Sequence, residues 1–220
     1  MISRLPKWVE YGEFVLALIA GYVNAIGLLG FQHQSISHLS GTATLLGTQL
    51  TLSDSGNLIH LLGVLFSFLL GAMVSGILLA GTTLKLGRHY DTLLLLEGAL
   101  LLLSFYWLNQ GSYLGHFTAS AACGMQNALA TTYSGAVVRT THMTGLFTDL
   151  GILFGEALRG RGFDRRKAFL FGLIILGFIL GGTLGAMGFE ALRFKALIIP
   201  ALLCWALALT YFLYRVRVTK

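Results

Sequence analysis

The sequence predicts an all-α membrane protein, with six transmembrane helices plus two short broken or re-entrant segments, arranged as two inverted three-helix repeats. Three observations lead there. The chain is 55% hydrophobic and only 11% charged, whereas soluble domains carry about a quarter charged residues. Six apolar runs approach the roughly 20 residues a helix needs to cross a bilayer. A polar motif set inside apolar sequence also occurs twice, in the same order.

So few charges could not coat a globule of 220 residues, and lipid is the solvent that tolerates the remaining surface. The chain opens on Arg4, Lys7, Glu10 and Glu13 around Trp8 and Tyr11. It lacks the apolar core and small-residue cleavage site of a secretory signal, so this opening reads as an interfacial lead-in. The spans follow at Phe14 to Phe31, Leu58 to Leu84, Thr92 to Leu108, Tyr113 to Tyr133, Ala168 to Met187 and Ala196 to Tyr214. Two shorter stretches, Ser37 to Leu52 and Thr141 to Leu158, are richer in Ser, Thr, Gly and His. Their length alone leaves open whether they cross or re-enter. Of the 28 glycines, 15 sit inside these six runs, where small residues let membrane helices approach closely. Gly177, Gly181, Gly182, Gly185 and Gly188 form one such stripe, and Gly71, Ser75 and Gly76 its counterpart. Packing within the bundle is the expected use, and a homodimer interface the alternative.

Charge sets the expected orientation. The formal charge of +6 comes from basic clusters between apolar runs, which encode topology rather than nucleic-acid binding. Arg4 and Lys7, Lys85 and Arg88, the run Arg159, Arg161, Arg165, Arg166 and Lys167, and Arg215, Arg217 and Lys220 all fall inside if there are six crossings. Asn109 to Ser112 and Gln32 to Asn57 then lie outside without a Lys or Arg, while Arg193 and Lys195 run against the pattern. The expected location is a bacterial inner membrane, with both termini cytoplasmic.

One membrane domain spans residues 1–220, with an internal repeat over 12–110 and 113–214. Gly21-Tyr22-Val23-Asn24-Ala25 matches Gly124-Met125-Gln126-Asn127-Ala128. His38-Leu39-Ser40-Gly41 matches His142-Met143-Thr144-Gly145, and Phe68 to Ala72 resembles Phe178 to Gly182. Three long spans per half is an odd number, so the second half enters the membrane the other way round. Inverted repeats of this kind build many secondary transporters.

These segments, together with Ser37-His38-Leu39-Ser40-Gly41-Thr42 and Thr140-Thr141-His142-Met143-Thr144-Gly145, resemble the YoaK-like family of bacterial inner-membrane proteins, a domain of unknown function. The resemblance covers nearly the whole chain. It implies a multi-pass membrane protein and supplies no activity. Asn24 stands where the family commonly has Asp, and His142 where it has a small or β-branched residue.

The chemistry is expected at the duplicated motif. Asn24 and Asn127 put amides in apolar helices, where they must find partners inside the bundle. They act as helix clamps, as solute ligands, or both. Ser40, Gly41, Thr144 and Gly145 suit the start of a half-helix, whose free N–H groups favour polar acceptors. Irregular backbone at that depth needs protein or a wet cavity around it. His38 and His142 adjoin these glycines. Two histidines are too few to specify a metal site, and no cofactor is expected. His60 and His116 are placed near an outer interface. Glu97, flanked by leucines, and Asp149, which breaks the repeat, are candidates for proton coupling. Asp149 can pair with His142 or Arg139, and Glu97 with Arg88. Cys123 and Cys204 read as buried small hydrophobes. No Walker loop, zinc-protease motif or nucleophile elbow occurs, so the chain is not read as an enzyme. The leading expectation is a small-solute secondary transporter or facilitator with a central site between the repeats, its partners being lipid and an unidentified solute. The alternatives are a channel and a non-transporting membrane assembly or scaffold protein.

Overall fold

A computed structural model describes residues 7–30, 36–52, 55–79, 89–133 and 139–218. Arg4, Phe31, Gln32, Leu84, Lys85, Arg88 and Lys220 lie outside the described residues. Within them the chain forms eight α-helices: α1 (Lys7–Gly30), α2 (Leu39–Leu52), α3 (Ser55–Leu78), α4 (Tyr90–Asn109), α5 (Leu114–Tyr133), α6 (Met143–Leu158), α7 (Arg165–Leu192) and α8 (Ile198–Val218). A 3₁₀ turn, Arg193–Leu197, joins the last two. No strand occurs among the described residues.

Local chemistry explains the limits. The expected lead-in before Phe14 is already helical, because nothing between Lys7 and Phe14 interrupts the helix. Asp164 caps α7 by accepting from the Lys167 backbone N–H at 3.0 Å, which starts that helix before its apolar run. It ends where Arg193 takes φ 52°, a left-handed conformation that cannot continue a helix. Pro200 falls in the first turn of α8, where its missing N–H has no intrahelical partner to lose.

Four stretches are long and apolar enough to cross a membrane: Glu10–Gly30, Gly56–Leu78, Tyr90–Asn109 and Arg165–Arg217, the last holding both α7 and α8. The helix expected over Tyr113 to Tyr133, α5, is not among them. It carries His116, Ser120, Gln126 and Asn127, and α3 and α4 enclose it, so its polar groups meet protein.

The heaviest packing is α1 on α7 and α3 on α5, followed by α4 on α5 and on α8. Glycines set the first two contacts. A Cβ on Gly181 would strike the Leu18 carbonyl, and one on Gly21 the Phe178 carbonyl. A Cβ on Gly71 would likewise strike Ala121, and one on Gly124 Phe68. Positions that match in the sequence thus form both crossings, each between a helix of residues 1–110 and one of residues 111–220. Gly71, Gly177, Gly181, Gly185 and Gly188 are taken up by packing inside the bundle, whereas Gly76 meets open space.

Register along these contacts fixes relative direction. Phe14, Leu18 and Tyr22 meet Gly177, Gly181 and Gly185, so α1 and α7 run parallel. His60 and Val64 meet His116 and Ser120, so α3 and α5 do too. Asp91 meets Arg215 and Leu95 meets Trp205, which makes α4 and α8 antiparallel. Glu97 with Gln126 and Ser104 with Gly115 do the same for α4 and α5. One apolar cluster gathers Leu16, Leu79, Leu93 and Leu129 at the end where α1 and α4 begin and α3 and α5 finish. That end also holds the Glu10–Arg166 ion pair at 2.7 Å and the Asp91–Arg215 pair at 2.9 Å. Arg193 and Lys195 are at the opposite end. The larger core cluster, with Ile19, Val23, Ile26, Leu101, Ala119, Cys123 and Cys204, fills the middle.

Candidate functional site

The duplicated motif builds two breaks of the same design. Asn24 lies roughly two turns, about 9 Å, before the end of α1. Its Oδ1 accepts the Ser37 backbone N–H at 3.2 Å and the Ser37 hydroxyl at 3.0 Å. The chain leaving α1 therefore returns to the depth of Asn24 before α2 begins. Asn127 lies at the matching place in α5, and its Oδ1 accepts the Thr141 hydroxyl at 3.3 Å. In both breaks the histidine ring covers the glycine that follows, His38 over Gly41 and His142 over Gly145.

Ser40 and Thr144 are exposed, and their carbonyls accept from Thr44 and Thr148 at 2.9 Å. These hydroxyls bond back along the helix instead of capping its start. His142 stands at the start of α6 and makes no side-chain cap either. The first break packs with α1 and α3, since α2 lies on α3, while α6 lies on α7. Because α1 and α5 run in opposite directions, the breaks sit beneath opposite ends of the bundle, on the order of 10 Å apart along its axis. Among the described residues no hydrogen bond joins one break to the other.

The second break continues inward, and the first does not. Thr140, fully buried, donates its hydroxyl to Gln126 Oε1 at 3.1 Å. Gln126 Nε2 donates to Glu97 Oε1 at 2.8 Å. Glu97 is 3% exposed, and its Oε2 accepts no N–H or O–H among the described residues, the Cys204 thiol being a weak donor to the carboxyl. Cys204 packs against the carboxyl, with Cys123 close by. Both cysteines are buried and free, so they are the small hydrophobes expected, but they converge on the one acid in the core of α4. Asp149 is half-buried on α6. The ion pairs formed among the described residues are Glu10–Arg166 and Asp91–Arg215, so Asp149 pairs with neither His142 nor Arg139.

Gln126 was not weighed as a site residue in the sequence, although a signal existed: Val23 holds its place in the first half, as Ile36 holds that of Thr140. A buried histidine pair was missed as well. His60 Nε2 and His116 Nδ1 lie 3.2 Å apart, and Tyr113 is against the His60 ring. A metal would need more ligands, and no group of three or more His, Cys, Asp or Glu placed to hold a metal ion occurs among the described residues. An open apolar cleft of about 220 Å³ between α3, α4 and α5 is lined by Ser67, Leu70, Trp107 and Phe117, and by no residue of either break.

A family model described as "Protein of unknown function (DUF1275)" matches residues 13–210. The chain belongs to this family. The match runs from the first turns of α1 to the last turns of α8, so the DUF1275 unit contains both breaks and the Glu97 cluster. This agrees with the resemblance carried by the repeated motifs. No curated protein and no solved structure matches the chain.

Proposed function

We propose that this DUF1275 protein is a small-solute secondary transporter or facilitator of a bacterial inner membrane, with two inverted three-span repeats and both termini in the cytoplasm. The observation that carries the reading is the pair of matched breaks held beneath opposite ends of the bundle. The helix directions support inversion: α1, α3 and α4 alternate, and α5, α7 and α8 alternate in the opposite sense. The re-entrant segments α2 and α6 return the chain without a crossing, which leaves six. The end that holds Arg159 to Lys167, Arg215 and Arg217 is then cytoplasmic by the positive-inside rule.

The breaks act as two gates in series. Asn24, His38, Ser40 and Gly41 line the outer gate, and Asn127, His142, Thr144 and Gly145 the inner one. Motion of α2 on α3 opens one end, and motion of α6 on α7 the other. Glu97 and Asp149 are the coupling candidates. A scaffold role is favoured by a different observation, that Ser37 and Thr141 already occupy the two amide oxygens as clamps. A channel uses the same parts without alternation.

The test is flux into proteoliposomes, screened over amino acids, sugars, nucleobases and small ions. A transporter gives saturable uptake that falls at least tenfold when Asn24 and Asn127 are both replaced by Leu, or His38 and His142 by Ala. Flux that never saturates points to a channel. A screen in which the wild type matches empty vesicles for every solute removes the transport reading and leaves the scaffold.

A further inference from the structure

We propose that Glu97 is a proton-binding site wired to the inner break alone, with Gln126 as the positioning residue that transmits its protonation to the base of α6. The inference deepens the transport reading and rests on it for its purpose.

Three observations converge. Glu97 lies roughly two turns inside α4 and is 3% exposed. The groups facing it are Gln126 and Cys123 from α5 and Cys204 from α8, with no cation among the described residues there. The nearest ion pair, Asp91–Arg215, is at the end of the helix. Gln126, 1% exposed, spends both ends of its amide on the link, giving its N–H to Glu97 and accepting from Thr140. Thr140 in turn precedes Thr141, His142 and the first turn of α6. The first half closes the comparison. Val23 and Ile36, each 2% exposed, fill the places of Gln126 and Thr140 and pack in the central apolar cluster.

With its proton on Oε2, Glu97 is neutral: Oε1 accepts the Gln126 amide, and the O–H has the Cys204 sulfur beside the carboxyl as a weak acceptor. When the proton leaves for water, both oxygens carry charge and Oε2 meets no donor stronger than the Cys204 thiol. A buried charge requires more hydrogen bonds than the apolar wall supplies. Among the described residues, the link leads to such donors through the irregular backbone at Thr140 to His142, by its own groups or by entering water. Loss of the proton thus tightens the amide on Oε1 and loosens the base of α6. A sodium ion fits poorly, because hard cations gather several oxygens and the neighbours here are thiols.

The test reads no flux, so it is separable from the failure of transport. Hydrogen exchange of the full-length protein in nanodiscs is followed from pH 5 to pH 9 and corrected for the intrinsic rate. Peptides covering α6 are compared with those covering α2 as the internal reference. Infrared difference spectra across the same range follow the protonated carboxyl. Expected is a loss of protection at the start of α6 with rising pH, with α2 unchanged, and a carboxyl band that vanishes in Glu97→Gln. Gln126→Leu and Thr140→Val keep the carboxyl band but abolish the pH response of α6. They decide the matter if Glu97→Gln fails to fold. An α6 response that survives in Gln126→Leu and Thr140→Val, or one shared equally by α2, overturns the proposal. A carboxyl band unchanged in a folded Glu97→Gln protein does the same.

Discussion

At the scale of single residues, the two asparagines and the crossing glycines carry the burden. Asn24 Oδ1 receives two donors, and one is a backbone N–H that no other secondary structure claims. Removing the acceptor leaves buried donors unsatisfied, which costs about 1–3 kcal/mol. Asn24→Leu should lower unfolding stability by that amount in detergent, whereas Asn24→Asp should change it little, because a carboxylate oxygen accepts the same two bonds. The glycines give a sharper contrast. A Cβ at Gly181 or Gly124 runs into backbone across the helix pair, and backbone cannot rotate away. Gly181→Ala and Gly124→Ala should each destabilise by about 1–3 kcal/mol. Gly76→Ala, which meets open space, should be neutral or gain a few tenths of a kcal/mol from helix propensity. Thermal unfolding of the purified variants separates the two groups, and equal effects at Gly76 and Gly181 would contradict the close crossings.

At the scale of elements, α2 and α6 are the helices whose path decides the topology. If each returns to the face from which it came, a cysteine at Asn57, before α3 has turned inward, reacts with an impermeant thiol reagent from the same side as one at Gly111. A cysteine at Gly162 reacts only from the opposite side. A cysteine at the exposed Tyr11, in the first turns of α1, that labels from the same side as Asn57 would mean that α2 crosses, and Gly162 labelling from the same side as Gly111 would mean that α6 does. All eight helices were legible in the sequence to within a few residues at most ends, because an apolar run or a Ser/Thr/Gly/His-rich stretch marks each. The largest misses are at α1, where the polar lead-in extends the helix to Lys7, and at α7, which runs on to Leu192, while the end expected at Leu84 lies outside the described residues. The site was less legible. Asn24 and Asn127 announce themselves as amides in hydrocarbon. The meeting of Glu97 with Gln126 and Cys204 depends on the rotational register of α4, α5 and α8, which no local pattern encodes. The His60–His116 pair escaped for the same reason, since its members belong to parallel helices from different halves.

At the scale of the whole molecule, the decisive feature is which helices hold each other. The two most extensive contacts, α1 with α7 and α3 with α5, both join one half to the other. Within the first half, α1 and α3 share no substantial contact among the described residues, and the packing there is mainly α2 on α3. Neither half therefore owns a core. The main cluster draws on Ile19 and Ile26 from α1, Leu101 from α4, Ala119 and Cys123 from α5, and Cys204 from α8. Apolar burial gives membrane helices little reason to associate, so shape-matched glycine crossings do that work, and in this chain the complementary surfaces are split between the halves. A break in the exposed turn at Gln110–Ser112 cuts no helix and leaves every crossing intact in principle. Residues 1–110 and 111–220 expressed together should then co-purify as a folded complex with near-native thermal stability. Either piece alone should aggregate or be degraded, although each holds three long helices. The glycine variants sharpen the expectation: Gly181→Ala in the second piece should weaken co-purification with an unaltered first piece, and Gly76→Ala in the first should not. A first half that is monodisperse and helical alone would mean that its helices pack on each other, against the exchanged arrangement of α1 and α3 on which the two-gate reading depends.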